Sequence, residues 1–508
     1  YKRQGLAGLS AALQAAENGC NVKLVSSLPS ERAQSVMAEG GINAALNTKD
    51  ENDSPEEHFT DTIKAACGLA DPNAVWGMTQ AAPELVHWLL KLGVKFNMSG
   101  YDDVDLRNFG GQKKKRTAFA QSDTGKQIMT AMIDAVRRKE ASGMVERFSH
   151  HSFLTLRLCG NICCGCVIRD EYSQETVELP GDAVIVATGG MHGLFGNTTG
   201  SLSNTGEVTA ELFRLGVPLA NGEMIQYHPT TVKCGGKRML ISEAARGEGG
   251  RLFAMKDGKQ WYFMEEKYPE LGNLMPRDIT AREIWKVSHE SEVFLDMTEI
   301  SEEIISNKLS GLADDCMTYL HKDIRKEPVS VLPGIHYFMG GILVDEQHRT
   351  PIQNLYAAGE CCAQYHGANR LGGNSLLGAL YGGRVAAKSA CEQADVVDLS
   401  CATQIDFPPA SQISEIKQLN KVMQETMGVV RNENTLLNGI QTVQALTGNL
   451  PLLGMAVLKS ALARKESRGA HWREDYPKSN DDDYLKTTVA RFDGKQIQIS
   501  FVPVPERR

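Results

Sequence analysis

Tyr356-Ala-Ala-Gly-Glu-Cys-Cys-Ala-Gln-Tyr-His-Gly-Ala-Asn-Arg-Leu-Gly-Gly-Asn-Ser-Leu376 sets a Gly-Glu turn, a histidine, an arginine and a glycine-rich helix start within one short segment. Gly372 and Gly373 let backbone N–H groups approach a ligand closely. Asn374 or Ser375 is placed to cap the helix that follows, and the positive end of that helix attracts phosphate. His366 and Arg370 can bind a carboxylate next door. The segment predicts an anionic cofactor at a strand-to-helix turn with an anionic substrate beside it.

Two apolar runs, Asp182-Ala-Val-Ile-Val-Ala-Thr-Gly-Gly190 and Asn354-Leu-Tyr-Ala-Ala-Gly-Glu360, end in glycine as buried parallel strands do when their carboxyl ends face a ligand. They read as one nucleotide-binding sheet. At the start of the chain, Gly5-Leu-Ala-Gly8 runs into a helix with Leu6, Leu9, Leu13 and Ala16 on its apolar face, and the strand Asn21-Val-Lys-Leu-Val25 follows. Gly5 and Gly8 match the last two glycines of a G-x-G-x-x-G dinucleotide fingerprint. The first falls on Arg3 and the strand expected before it is missing, which predicts a weakened diphosphate cradle and suggests a truncated N-terminus. From about Asn221 to Val331 the pattern changes to mixed helices and loops, as in an inserted second domain. After Leu399 a loop with Pro408-Pro409 leads to helical patterns near Ile413–Met427, Thr435–Leu446 and Leu452–Arg464, and then to a polar tail.

Composition narrows the function classes. The 508 residues suit two or three domains, and 42% hydrophobic with 23% charged residues describes a globular α/β enzyme. No stretch approaches the roughly 20 apolar residues of a membrane span. A net charge of −8 argues against nucleic acid as a partner, and the basic run Lys113-Lys-Lys-Arg116 reads as a solvated loop. Twelve cysteines without a signal peptide suggest a reducing compartment, by default the cytoplasm. Cys159, Cys163, Cys164 and Cys166 do not match the usual iron–sulfur spacings and read as a β-hairpin around Gly160-Asn161, so no metal is expected.

Ala38-Glu-Gly-Gly-Ile-Asn43, Phe109-Gly-Gly111, His228-Pro-Thr230, Arg246-Gly-Glu-Gly-Gly250, Pro276-Arg-Asp278, His336-Tyr-Phe-Met-Gly-Gly-Ile342, His366-Gly-Ala-Asn-Arg-Leu-Gly-Gly-Asn-Ser375 and Ser467-Arg-Gly-Ala-His-Trp-Arg-Glu-Asp-Tyr-Pro477 keep one order along nearly the whole chain. Together they resemble the flavoprotein subunit of fumarate reductase and succinate dehydrogenase. The resemblance implies an α/β fold with a discontinuous Rossmann-like FAD domain, residues 1–220 and 332–398. An α+β capping domain is inserted at 221–331, a helical domain occupies 399–475, and 476–508 form a tail.

The resemblance also implies a site. The dicarboxylate would lie between Phe109, His228, Ser242, His336 and Arg370, with Ser242 where the family usually has threonine. Arg370 suits bidentate grip of one carboxylate, and histidines with a hydroxyl suit the other. Arg277 aligns with the proton donor, opposite hydride delivery from flavin N5, and Glu243 and Arg246 resemble the relay that refills it. FAD would be held by Gly5, Gly8, Ser26 and the turn of Ala38, Gly40 and Gly41. Further contacts would come from Ala187, Thr188 and Gly189, from Glu207, from Gly359 and Glu360, and from Asn374, Ser375 and Leu376.

Departures from the pattern set further expectations. Gln34 stands where covalent members have the FAD-linking histidine, so FAD is expected to be non-covalent. Because that link makes flavin more oxidising, fumarate reduction is the expected direction. Glu207 replaces an aspartate in Thr205-Gly-Glu-Val208. Partners implied are an iron–sulfur subunit and membrane anchor subunits, with the chain on the cytoplasmic face. L-aspartate oxidase, a relative with non-covalent FAD, remains an alternative. A non-catalytic flavoprotein or assembly subunit is another.

Overall fold

The computed structural model describes residues 5–100, 103–394, 407 and 412–508; Arg3, Leu399 and the Pro408-Pro409 loop lie outside them. The elements that carry the argument are α1 (Leu6–Glu17), β1 (Val22–Ser26), α2 (Thr124–Ala141), β2 (Val145–Ser149), β3 (Val184–Val186), β4 (Ile225–Cys234), α3 (Glu243–Gly247), α4 (Arg277–Val287), β5 (Leu332–Phe338), β6 (Leu355–Ala357) and α5 (Asn374–Gln393). The apolar positions Leu6, Leu9, Leu13 and Ala16 are all buried. They turn α1 against α5, so that two glycine-led helices lie side by side although widely separated in sequence.

β1 pairs in parallel with β2, and β3 in parallel with β6. The two apolar runs read as one sheet are thus paired as expected, while β1 and β2 form a separate parallel pair among the described residues. Between them lies a cavity of about 850 Å³, lined from one side by Val22 and Leu24 and from the other by Val184 and Val186. The main core beneath gathers Leu9, Met78, Met132 and Leu377.

The inserted segment has its own antiparallel sheet, in the order Lys259–Trp261, Arg251–Lys256, Val293–Asp296, Val329–Ser330. Ile241, Leu252, Ile284 and Leu295 form its core, and Phe109 from the first segment joins them. At the boundary β4 pairs antiparallel with β5, with an irregular register between His228 and Thr231. That irregularity marks the His-Pro-Thr turn.

The predicted C-terminal helices are present as α6 (Ile413–Thr426), α7 (Glu433–Gln444) and α8 (Asn449–Ala463). Gln412 and Glu415 form a reciprocal capping box at the first, and Asn432 accepts from Thr435 N at the second. Residues 476–508, expected as a polar tail, instead carry β7 (Lys486–Phe492) and β8 (Ile497–Pro503). β7 also pairs with Leu219–Ala220, so the end of the chain completes a five-stranded sheet. The hairpin around Gly160-Asn161 forms as expected, between His151–Cys159 and Ile162–Asp170. The basic run is only partly a solvated loop: Lys113 and Lys115 are exposed, but Arg116 is fully buried between Asp53 (2.8 Å) and Asp61 (3.0 Å). No helix among the described residues is long and apolar enough to cross a membrane.

Candidate active site

A cavity of about 780 Å³ opens where the main body meets the inserted segment. Gly5 at the start of α1 and Gly373 at the start of α5 both line it. Neither N-cap residue caps its helix through a side chain; Leu6 N donates to Ser35 Oγ (3.2 Å) and Asn374 N to Leu371 O (3.3 Å), and the positive ends of both helices still face the cavity. Gly373 itself is the residue before α5, in place of the Asn374 or Ser375 cap expected from sequence. It sits at φ +83, and a Cβ there would lie 2.0 Å from Asn43 Oδ1. Gly41, at φ +132, would meet Ala118 O at 2.5 Å. The backbone is therefore drawn tight around this end.

Of the residues assigned to FAD, Gly5, Ala38, Gly40, Gly41, Ala187, Thr188, Gly189, Gly359, Glu360, Ser375 and Leu376 line the cavity, as does Gln34. Four others do not. Gly8 packs toward Ala187 Cβ from within α1, and Ser26 Oγ donates to Leu28 O. Glu207 is exposed in the first turn of its helix. Asn374 is turned inward, accepting from Asn43 (2.7 Å), meeting His58 Nε2 (2.9 Å) and donating to Thr62 (3.0 Å). Arg246, assigned to the relay, also lies off the cavity wall, behind Glu243. The cradle still fits a dinucleotide: two helix starts that face it, close-packed glycine backbone and Glu360, which accepts from Phe338 N (3.2 Å).

At the other end the charged residues converge. Arg277 is the first residue of α4, after Pro276, and points into the cavity with 7% exposure. Its Nε and Nη2 donate to Glu243 Oε2 at 2.7 and 2.5 Å, and Nη1 donates to Gln226 Oε1 at 3.1 Å. Glu243 opens α3 after Ser242 and accepts at Oε1 from Gly110 N (3.2 Å), with Arg246 Nη2 at 3.3 Å. Burial alone would raise the Glu243 carboxyl, but Arg277 and then Arg246 outweigh it and hold it below the usual range. The helical ion pair and the longer-range pairing of Glu243 therefore coexist.

His228 and His336 come from β4 and β5 and meet ring to ring at 5.1 Å. Thr230 O lies 3.0 Å from His228 Nδ1, and Thr199 Oγ1 lies 2.8 Å from His336 Nδ1. Burial, then Arg277, pushes both imidazoles well below 6.5, so both are neutral. Arg370 stacks over Tyr337 at 4.3 Å, and its Nε is buried without a partner. Burial, then Arg277, draws it below its ordinary value; a guanidinium facing carboxylates stays charged nonetheless. Phe109, Ser242, His228, His336, Arg277 and Arg370 all line the cavity, whereas His366 stacks edge-on behind Tyr337 and does not reach it. Arg277 and Arg370 face the cavity at this end, and the Glu243 carboxylate there is tied to Arg277 and Arg246. Such a pair of guanidinium groups can take up a small anion.

This geometry has counterparts. Residues 4–376 match the family model described as an FAD binding domain, and residues 446–507 match the one described as the fumarate reductase flavoprotein C-terminus. The chain is 38% identical to the succinate dehydrogenase flavoprotein subunit of Bacillus subtilis, covering 99% of this chain and 97% of that one. The chain belongs to the family of succinate dehydrogenase and fumarate reductase flavoprotein subunits. It is also 33% identical to an L-aspartate oxidase of Pyrococcus furiosus, with coverage of 94% and 95%. A solved E. coli quinol fumarate reductase mutant superposes with a TM-score of 0.89 at 27% identity, over 98% of this chain and 95% of that one. The protein is thus a flavoprotein oxidoreductase of the succinate dehydrogenase and fumarate reductase type, with an FAD-binding domain.

Sequence reading missed several residues of this flavoprotein site. Gln226 joins Arg277 to Asn369 (2.9 Å) and to Arg370 O (2.8 Å), and Tyr337 carries Arg370. Gln226 lies outside every motif read from the sequence, and Tyr337, although inside the His336–Ile342 motif, carries no charge that would single it out. Glu39, also on the cavity wall, was marked only by its place between Ala38 and Gly40.

Proposed function

We propose that this chain interconverts fumarate and succinate, favouring fumarate reduction, with Arg277 as the proton donor. The observation that carries this is the Arg277 guanidinium, aimed into a cavity walled by His228, His336 and Arg370 while Glu243 holds its other edge. When bound, FAD supplies the hydride to one alkene carbon. The other carbon then needs a proton from a group fixed on the substrate side.

Arg370 grips one carboxylate through the Nε edge it leaves unpartnered. The neutral histidines and Ser242 hydrogen-bond the other. Arg277 passes a proton to the developing carbanion and regains one through the Glu243 carboxylate, which takes a proton from Arg246 on its other oxygen as it hands one to Arg277; Arg246 is then refilled from solvent. Surrendering a proton from arginine is reasonable only when the acceptor is as basic as a carbanion, as it is here. FAD would be held non-covalently, because the Gln34 amide on the cavity wall cannot form a histidyl link. An iron–sulfur subunit would deliver electrons, with any membrane attachment through separate anchor subunits on the cytoplasmic side.

Anaerobic turnover with reduced viologen tests the reading. Oxidation of the dye should require fumarate and collapse in Arg277→Ala; flavin-loaded protein indifferent to fumarate would overturn it. The second reading, L-aspartate oxidation, gains from Glu39, an acid near Phe109 that a substrate ammonium would need. Ammonia released from L-aspartate would favour it. A non-catalytic role is opposed by the assembled set of Arg277, Glu243, His228, His336 and Arg370.

A further inference from the structure

The motif from Ser467 to Pro477 lies off the cavity wall, yet it holds the site from behind in two places. Ala470 N donates to Ala368 O (2.9 Å), in the turn that carries Asn369 and Arg370, and Gly469 lies so close that a Cβ there would meet the same oxygen at 2.6 Å. Two residues on, the Trp472 backbone is fixed by Arg431 N, which donates to Trp472 O (3.0 Å), and by the fully buried His471 and Arg473 on either side. The half-buried Trp472 ring carries a side chain of the inserted segment: the Arg282 guanidinium stacks over it at 4.0 Å. Arg282 is on α4, the helix that Arg277 begins.

A chain of hydrogen bonds joins the two attachment points. Asp278 Oδ1 accepts from Asn369 Nδ2 (3.1 Å), Asn369 Oδ1 accepts from Gln226 Nε2 (2.9 Å), and Gln226 Oε1 accepts from Arg277 Nη1 (3.1 Å). Its direction is set at the ends. A carboxylate only accepts and a guanidinium only donates, so each amide between them has one permitted orientation. Burial draws the Asp278 carboxyl up, and the cation that opposes this is Arg282. Gln226 Nε2 also donates to Arg370 O (2.8 Å), which ties the second cavity arginine to the same chain.

We propose that Arg282, seated on Trp472, is a positioning residue for Arg277: the stacked pair anchors α4 to the C-terminal segment and holds Asp278 at the head of the amide chain that aims the proton donor. The inference rests on the reading of Arg277 as that donor. Without the ring or the guanidinium, Arg277 keeps its bonds to Glu243 but loses the support that sets its direction from the other side.

Fumarate reduction by FAD-loaded protein, driven by reduced viologen and expressed per bound flavin, separates positioning from packing. In Trp472→Leu and in Arg282→Met, kcat should fall on the order of tenfold with KM held within about twofold, the loss expected of a misaimed rather than a missing group. Trp472→Tyr keeps a π face and should recover most of the rate. The two substitutions combined should be no slower than either alone, within about twofold, because the side chains act as one unit. A packing role would instead lower Tm and flavin content and leave kcat per bound flavin unchanged. That result in both single variants, or a Trp472→Tyr no faster than Trp472→Leu, would overturn the inference and leave the proposed reaction standing. Wild-type turnover that survives Arg277→Ala, or wild type indifferent to fumarate, would sink the donor reading and this inference together.

Discussion

Arg277 shows how one side chain can serve both chemistry and structure. It occupies Glu243 at two nitrogens and Gln226 at a third, all buried. In Arg277→Gln, turnover with fumarate should fall by on the order of 10²- to 10⁴-fold, the range for a lost general acid. Urea denaturation should also show a loss of about 3–5 kcal/mol, since a buried ion pair would be broken on one side. If Arg277 were only a salt link between segments, stability would fall while kcat held. Gln34 makes a cleaner test because it pairs with no charge. Denaturing the protein in acid or detergent should release all the flavin, and a fluorescent band that survives electrophoresis would show a covalent bond and remove the argument for direction.

Among the elements, the start of α5 is the most constrained. Gly373 stands at φ +83 with Asn43 pressed against the place a Cβ would take. Gly373→Ala should cost about 1–3 kcal/mol through the strained backbone, and should reduce FAD retention, read as the ratio of flavin to protein absorbance, more than it reduces helix content. Such glycine-led turns, the α1 face and the three C-terminal helices were legible in the sequence, because spacing and turn residues are local signals. The closing strands were not, although Asp493-Gly494 sits at their turn: β8 alternates half-exposed with exposed residues, so it carries no apolar face to read. The inward turn of Asn374 was equally hidden, since its partners Asn43, His58 and Thr62 lie more than three hundred residues away. Arg116 was misread for the same reason, its carboxylates being supplied by Asp53 and Asp61.

Across the whole molecule, the burial of histidines predicts how stability depends on pH. Burial is the leading cause at each: His58 is held at about 3 and His348 at about 4, and His228, His336, His366 and His471 lie well below 6.5. Below pH 6.5 the unfolded chain binds a proton at each of these sites and the folded chain does not, so acid favours unfolding. Each site contributes up to about 1.4 kcal/mol of lost stability per pH unit until its folded value is reached. Glu39 works from the other side: its folded value of about 8 exceeds the ordinary 4.5, so the folded chain holds the extra proton and stability falls as pH rises toward 8. Thermal unfolding at fixed FAD and ionic strength should therefore give a Tm that peaks near neutrality and falls steeply toward about pH 5. His348→Gln, whose ring meets Ala357 O and Tyr365 rather than the substrate end, should lessen the acid slope even if it lowers Tm throughout. A Tm that stays level from neutrality to about pH 5 would mean the buried histidines accept protons in the fold, and with them the neutral donors assigned to His228 and His336 would have to be redrawn as cations.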